Sequence, residues 1–197
     1  LRRFFFRGVE PVSGNRLRLL QNGAEYFPAL IAAIDAAQFE VHLETYIFNA
    51  DASAGAVRDA LIRAARRGVR VRLLVDGVGS RNLPADWRAA LEEGGVSVLT
   101  YRPIVSGWLS NPHNLRRLHR KLAVIDAHTA FVGGMNLMDD YEPVRFAAPR
   151  LDFSVEVKGP LLDPIYQSVR HLWRLVALTQ LHTGEKSPPL IKPSWPT

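Results

Sequence analysis

At 197 residues with no cysteine, the chain has the length of one domain with a sizeable core, and disulfides and thiolate metal sites are excluded. A formal net charge of +6 and a sequence pI near 10.1 point to anionic partners, a class that includes phospholipid headgroups and nucleic acids alike. There is no run of about eighteen apolar residues, the length needed to read a segment as a membrane-spanning helix.

In chain order, apolar runs of strand length alternate with helical patterns. Residues 1–15 read as an N-terminal arm; the opening LRRFFFRGVEP, with Leu1 in place of Met, is expected of a processed or excerpted chain. Leu17 to Gln21 is a predicted strand and Ala24 to Ala37 a helix, with Tyr26, Phe27, Leu30, Ile31 and Ile34 on one stripe. Val41 to Phe48 follows as a strand, then Ala54 to Arg67 as an amphipathic helix closed by Gly68. Val69 to Val75 is a β-branched-rich strand, Pro84 to Glu93 a helix opening on a proline, and Val96 to Tyr101 another strand. This alternation predicts an α/β fold, a largely parallel mixed sheet covered by helices on both faces.

The pattern breaks at Pro103 to Leu118, a predicted long loop with Trp108 and Leu109 near its tip and Arg116 and Arg117 at its base. It reads either as a solvated basic cluster or as a membrane-facing or substrate-gating loop. Lys121 to Ile125 and Thr129 to Val132 form a predicted hairpin around Asp126. Leu151 to Lys158 is a strand and Asp163 to Leu178 a helix. The domain therefore runs over 16–180, and 181–197 is a proline-rich tail without periodicity.

The chemistry concentrates in HRKLAVIDAHTAFVGGMN, an H-x-K-x4-D-x6-G-G-x-N pattern formed by His119, Lys121, Asp126, Gly133, Gly134 and Asn136. Two residues apart on extended chain, His119 and Lys121 point to the same face. The glycine pair lets backbone approach a bound group, and Asn136 supplies two N–H donors. This is a nucleophile beside a phosphate cradle, with Gly133 and Gly134 as substrate-binding candidates. No metal-ligand spacing is present, and no cofactor is expected. His42, His113, His128, His171 and His182 read as structural histidines.

The motif resembles the signature of the phospholipase D superfamily, and its Gly-Gly form is most similar to the bacterial cardiolipin synthases. QNGAEYFPALIAAIDAA, VHLETYIF, ALIRAARRGVRVRLLVDGVGS and LDFSVEVKGP extend the resemblance over roughly Arg16 to Ile165. It implies a phospholipase D-like fold and a phosphatidyltransferase or phosphodiesterase acting on phospholipid, with phosphatidylglycerol as donor and acceptor. It also implies peripheral placement on the cytoplasmic face of the bacterial inner membrane. His119 would carry the phosphoryl group covalently, while Lys121 and Asn136 meet the non-bridging oxygens. The resemblance names Asp152 as the acceptor that holds the other nitrogen of His119. Asp126 belongs to the catalytic motif, yet its distance from Lys121 points to a scaffold role at a turn. Glu44 is costly in an apolar strand unless paired; the matching family segment makes it a substrate-binding candidate, with a salt-bridged strand-end glutamate as the other reading.

Members of the family carry two such motifs, and this chain has one. The general acid must come from a second motif-bearing half or from a homodimer that brings two His119 side chains together. Two other readings stay open: a homodimeric single-motif nuclease, and a non-catalytic half that binds lipid or nucleic acid.

Overall fold

A computed structural model describes residues 12–104, 116–141 and 150–180. The first eleven residues, the tip of the long loop with Trp108 and Leu109, and the proline-rich tail lie outside the described residues. So do His113 and His182.

The elements run β1 Arg16–Gln21, α1 Asn22–Ala36, β2 Glu40–Thr45, α2 Ala52–Arg66, β3 Arg70–Asp76, α3 Ala85–Glu93, β4 Ser97–Tyr101, β5 Lys121–Ile125, β6 Thr129–Gly133, β7 Phe153–Lys158 and α4 Leu162–Thr179. The seven strands form one sheet in the order β1-β7-β6-β5-β2-β3-β4. β2, β3 and β4 pair in parallel, joined by the α2 and α3 crossovers. β5 and β7 run against their neighbours, so the pairings β2–β5, β5–β6, β6–β7 and β7–β1 are antiparallel. The mixed sheet is thus parallel only in its β2-β3-β4 half. The connection between β5 and β6, residues 126–128, is too short for a parallel crossover.

Side-chain alternation sorts the sheet into two faces. Val41, Leu43, Val71, Leu73, Ala123, Ile125 and Phe131 pack beneath α1 and α2 with Leu30, Ile34, Val57 and Leu61. On the other face Leu122, Val124, Ala130 and Val157 meet Tyr166 and Val169 of α4, and Leu74, Leu99 and Leu118 meet Trp173, Val176 and Ala177 further along α4. Helices therefore cover both faces. Every residue of β2 is buried, as expected for a central strand with helices on either side.

Local chemistry sets the helix ends. Asp51 caps α2 by accepting the Ala54 N–H at 3.0 Å, and Gly68 takes a φ of 89° just beyond it, a left-handed stop that glycine makes without Cβ strain. β2 ends at Thr45, earlier than the predicted Phe48. The chain leaves the sheet at Tyr46, and Phe48 instead bridges Leu137.

The β5–β6 hairpin turns at Asp126 and Ala127, whose φ values of 51° and 48° are those of a type I′ turn. The Asp126 carboxylate reaches across to the start of β2, where it accepts the N–H groups of Gln38, Phe39 and Glu40, each at 2.8 Å. The Asp126 N–H in turn donates to the Glu40 carbonyl at 2.9 Å. Asp126 is therefore seven residues along extended chain from His119, roughly 20 Å away. It contacts no reacting group, which corrects its place among the catalytic candidates and agrees with its turn role.

Asp126→Ala removes one charged acceptor from three N–H donors, and charge-assisted hydrogen bonds contribute about 1.5–3 kcal/mol each when wholly lost. Because two of the donors can be rehydrated, we expect a net destabilisation of about 2–3 kcal/mol, read as a lower urea midpoint at unchanged m-value. A midpoint equal to that of the wild type would show that the clamp holds nothing.

Candidate functional site

The site lies at the carboxyl ends of the parallel strands, where β5 begins. His119 is exposed and Lys121 buried. The Lys121 ammonium sits 3.2 Å from Nδ1 and 3.3 Å from Nε2 of His119, and donates to the His119 carbonyl at 3.1 Å. Burial pulls the ammonium below the ordinary lysine range, against the opposing charge of Asp152. Tyr46, which the sequence reading passed over, lies against both groups: its ring centroid is 5.0 Å from that of His119 and 5.4 Å from Lys121 Nζ. The signal for it was an aromatic residue directly after the fully buried strand.

A second residue missed by the sequence reading is Asp76, the last residue of β3. Its fully buried carboxylate accepts the N–H groups of Val78 at 2.8 Å and Gly79 at 3.0 Å through Oδ1, and that of Leu118 at 2.8 Å through Oδ2. Leu118 immediately precedes His119. Gly79 lies so close to Tyr46 that a Cβ there would come within 2.2 Å of the Tyr46 carbonyl, and the neighbouring Ser80 hydroxyl donates to that same carbonyl at 2.9 Å. One carboxylate thus fixes the chain that carries the imidazole and the turn that supports the ring beside it.

Asn136 is brought to the same end. Its Oδ1 accepts the Ile47 N–H at 3.1 Å, which orients the amide and leaves the NH2 group as the donor. The chain after Asn136 runs beside residues 47–49, with Leu137 N–H donating to Ile47 at 3.0 Å and Asn49 N–H donating to Leu137 at 2.9 Å.

The glycine pair has a different task from the one expected. A Cβ on Gly133 would stand 2.3 Å from the Phe153 carbonyl, and one on Gly134 would stand 2.0 Å from Asp152 Oδ1. The close approach is to β7 and its leading aspartate; no ligand is needed to account for either glycine. Asp152 also departs from expectation. Its Oδ1 accepts the Phe153 N–H at 2.8 Å, its charge acts on Lys121, and no hydrogen bond joins it to His119 among the described residues.

Glu44 does not join the cradle. In register it stands opposite Leu122, on the α4 face, whereas Lys121 alternates to the other. Its carboxylate accepts from Arg120 Nε at 2.7 Å, and Arg120 also donates to Ser168 of α4 at 2.7 Å. The paired-glutamate reading therefore describes it, and its placement as a substrate contact is corrected. Nearby, Glu40 and His42 form a buried polar cluster with Arg72 and Tyr166. His42 Nε2 is 3.5 Å from Glu40 and 3.3 Å from Arg72, and the Tyr166 hydroxyl donates to Glu40. Burial pushes Glu40 upward, but the bonds from His42 and Tyr166 outweigh it and leave the carboxyl below its usual range. Among the described residues, no cluster of three or more His, Asp or Glu could hold a metal ion.

Burial pushes the Glu44 carboxyl up to about 7 despite the pull of Arg120. Since the folded state binds this proton more tightly than the unfolded state, Glu44 makes stability fall as pH rises from the unfolded carboxyl range to about 7. Glu44→Gln should flatten the folding free energy across that window in urea titrations. An unaltered slope would place the titration elsewhere.

Residues 30–142 match the family model described as the phospholipase D-like domain of cardiolipin synthase. Cardiolipin synthase B of Escherichia coli (strain K12) is 38% identical over 156 residues, covering 78% of this chain and 37% of that protein. Cardiolipin synthase 1 of Bacillus anthracis is 34% identical over 185 residues, covering 93% of this chain and 36% of that protein. The chain therefore spans little more than a third of the length of these relatives. Among solved structures, NucT from Helicobacter pylori superposes with a TM-score of 0.62 at 14% identity, covering 81% of this chain and 96% of that one. Phosphatidylserine synthase of Haemophilus influenzae Rd KW20 superposes with a TM-score of 0.61 at 18% identity, covering 78% of this chain and 36% of that one. At such identities the likeness speaks for the fold, while the sequence matches decide the family: with His119 and Lys121 of its H-x-K-x4-D motif at the carboxyl ends of the parallel strands, this chain belongs to the phospholipase D-like domains of cardiolipin synthase.

Proposed function

We propose that the chain is one motif-bearing half of a phosphatidyltransferase that works through a phosphohistidine on His119, with phosphatidylglycerol as donor and acceptor. The observation that carries this reading is the exposed His119 ring with the Lys121 ammonium 3.2 Å from it, beside the anchored Asn136 amide. A ring nitrogen of His119 attacks phosphorus, and the bond to the departing glycerol oxygen breaks. Lys121 and the Asn136 NH2 group meet the non-bridging oxygens, where charge gathers in the transition state. The departing oxygen takes a proton from a general acid. The hydroxyl of a second phosphatidylglycerol returns that proton as it attacks the phosphohistidine, which frees His119. Asp152 acts on this site through Lys121, steadying the ammonium.

The general acid comes from a second motif-bearing half. An uncovered apolar strip supports this partner: Leu17 and Leu19 of β1, Phe153 of β7 and Val132 of β6 are exposed and share the α4 face of the sheet by register, beyond the cover of α4. Phe153 and Val132 adjoin Asp152 and Gly133, so a body seated there reaches the mouth of the site. No described helix is long and apolar enough to cross a membrane, and the proposed placement is peripheral, on the cytoplasmic face of the inner membrane.

Incubation with phosphatidylglycerol radiolabelled at phosphorus should leave an acid-labile, base-stable label on the protein, and His119→Ala should abolish it. Label that survives in His119→Ala would move the nucleophile to another residue. The chain as a monomer should turn over on the order of 10²- to 10⁴-fold more slowly than its assembly with a second half, the usual contribution of a general acid. Light scattering with assays on phosphatidylglycerol and single-stranded DNA reads this directly. Fast lipid turnover by a monomer would contradict the two-histidine chemistry, and DNA cleavage by a homodimer without lipid turnover would favour a nuclease.

A further inference from the structure

The C-terminal half of α4 leaves an apolar and basic patch beside the site. α4 rises from Gly159 toward the end of the sheet that carries His119, since its last residues pack on Leu118 through Trp173, Val176 and Ala177. Gln180, just beyond it, donates to the Thr100 carbonyl of β4. On the outward side of this helix Leu175 is 47% exposed and Leu178 is 66% exposed, and Ile104, just past β4, is 44% exposed. Single exposed leucines are ordinary, but these gather at the end of the molecule that bears the active site.

The charges around them are of one sign. From Arg170 onward α4 carries Arg170, His171 and Arg174 and no carboxylate. Arg102 lies over Tyr101 with its guanidinium 5.4 Å from the ring centroid and donates to the Arg116 carbonyl at 3.4 Å. Arg116 and Arg174 are exposed, and neither has a carboxylate partner among the described residues. Of the acids at this end of the sheet, Asp76 and Glu44 are buried and engaged with backbone N–H groups and Arg120, Asp152 acts on Lys121, Asp51 and Asp139 accept N–H groups at the start of α2, and Asp86 is exposed in the first turn of α3.

We infer that Leu175, Leu178 and Ile104, framed by Arg102, Arg116 and Arg174, form the surface that docks on an anionic phospholipid bilayer. Charge complementarity selects the occupant. Exposed arginines attract anionic headgroups at a membrane surface, while the leucines settle at the boundary between headgroup and acyl chain. The geometry also gives docking a use, because the patch shares the Leu118 end of the fold with His119 and would turn the site toward its substrate. The inference rests on the phospholipid reading of that site, yet it concerns adsorption and is read without turnover.

The test is sedimentation of the full chain with vesicles of phosphatidylglycerol and phosphatidylcholine, against vesicles of phosphatidylcholine alone. The wild type should partition onto the anionic vesicles and lose that preference in high salt. Leu175→Ser/Leu178→Ser should reduce partitioning about tenfold or more, and Arg116→Ala and Arg174→Ala about fivefold each, with thermal melts confirming that each variant folds. Leu17→Ser/Leu19→Ser, on the sheet strip far from the patch, should leave partitioning unchanged. Undiminished partitioning of the folded Leu175→Ser/Leu178→Ser protein would overturn the inference, as would an equal loss from the Leu17→Ser/Leu19→Ser protein. A fluorophore at position 178 that is already shielded from an aqueous quencher in a two-half assembly without vesicles would also overturn it, since protein would then cover the patch. Vesicle binding that depends on the leucines, with no labelled His119, would leave docking standing and remove the proposed chemistry.

Discussion

The arrangement of the site depends on how β5 is registered against β2, and that register is pinned at its far end by the Asp126 carboxylate. Side chains on a strand alternate, so a slip of one residue would carry Lys121 to the α4 face and Leu122 into the cradle. Asp126 opposes such a slip with three N–H donors at the entry to β2. The left-handed turn at Asp126 and Ala127 then returns the chain as β6, and Gly133 arrives opposite Lys121. A residue roughly 20 Å from the chemistry thereby sets which side chains the chemistry can use.

At the other end of the sheet a second carboxylate does comparable work. Asp76 is fully buried, an unfavourable place for a charge unless hydrogen bonds satisfy it. Its backbone donors come from two separate segments: the turn after β3, which braces Tyr46, and the chain just before His119. Because both sides of the imidazole are referred to one anchor, the ring and the aromatic beside it are held as a unit. Rigid support of this kind is what a nucleophile needs if it is to meet phosphorus in line.

The two faces of the sheet divide the labour. Beneath α1 and α2 lies the continuous apolar core, which supplies most of the burial. The α4 face is more polar, with Glu40, His42, Arg72 and Tyr166 packed together and Glu44 joined to α4 through Arg120 and Ser168. Such buried networks fix orientation more than they add stability. Here they settle how α4 sits, and with it the outward direction of Leu175 and Leu178 and the limit of cover that leaves the β1–β7–β6 strip open.

Much of this was legible in the chain. The periodicities located the seven strands and four helices of the described residues to within a few residues, because each element buries a stripe or a face and the spacing of apolar residues must follow it. The motif named His119, Lys121 and Asn136 by residue type and offset alone. Contacts between segments distant in sequence were not legible. Asp76 to Leu118, Asp126 to Gln38 and Gly134 to Asp152 join positions whose spacing follows no period, and nothing local marks an aspartate that will bond another segment's backbone. Glu44 shows the same boundary: its sequence said that a buried carboxylate needs a partner, but only the register of β2 against β5 decided that the partner is Arg120, on the face turned away from the cradle.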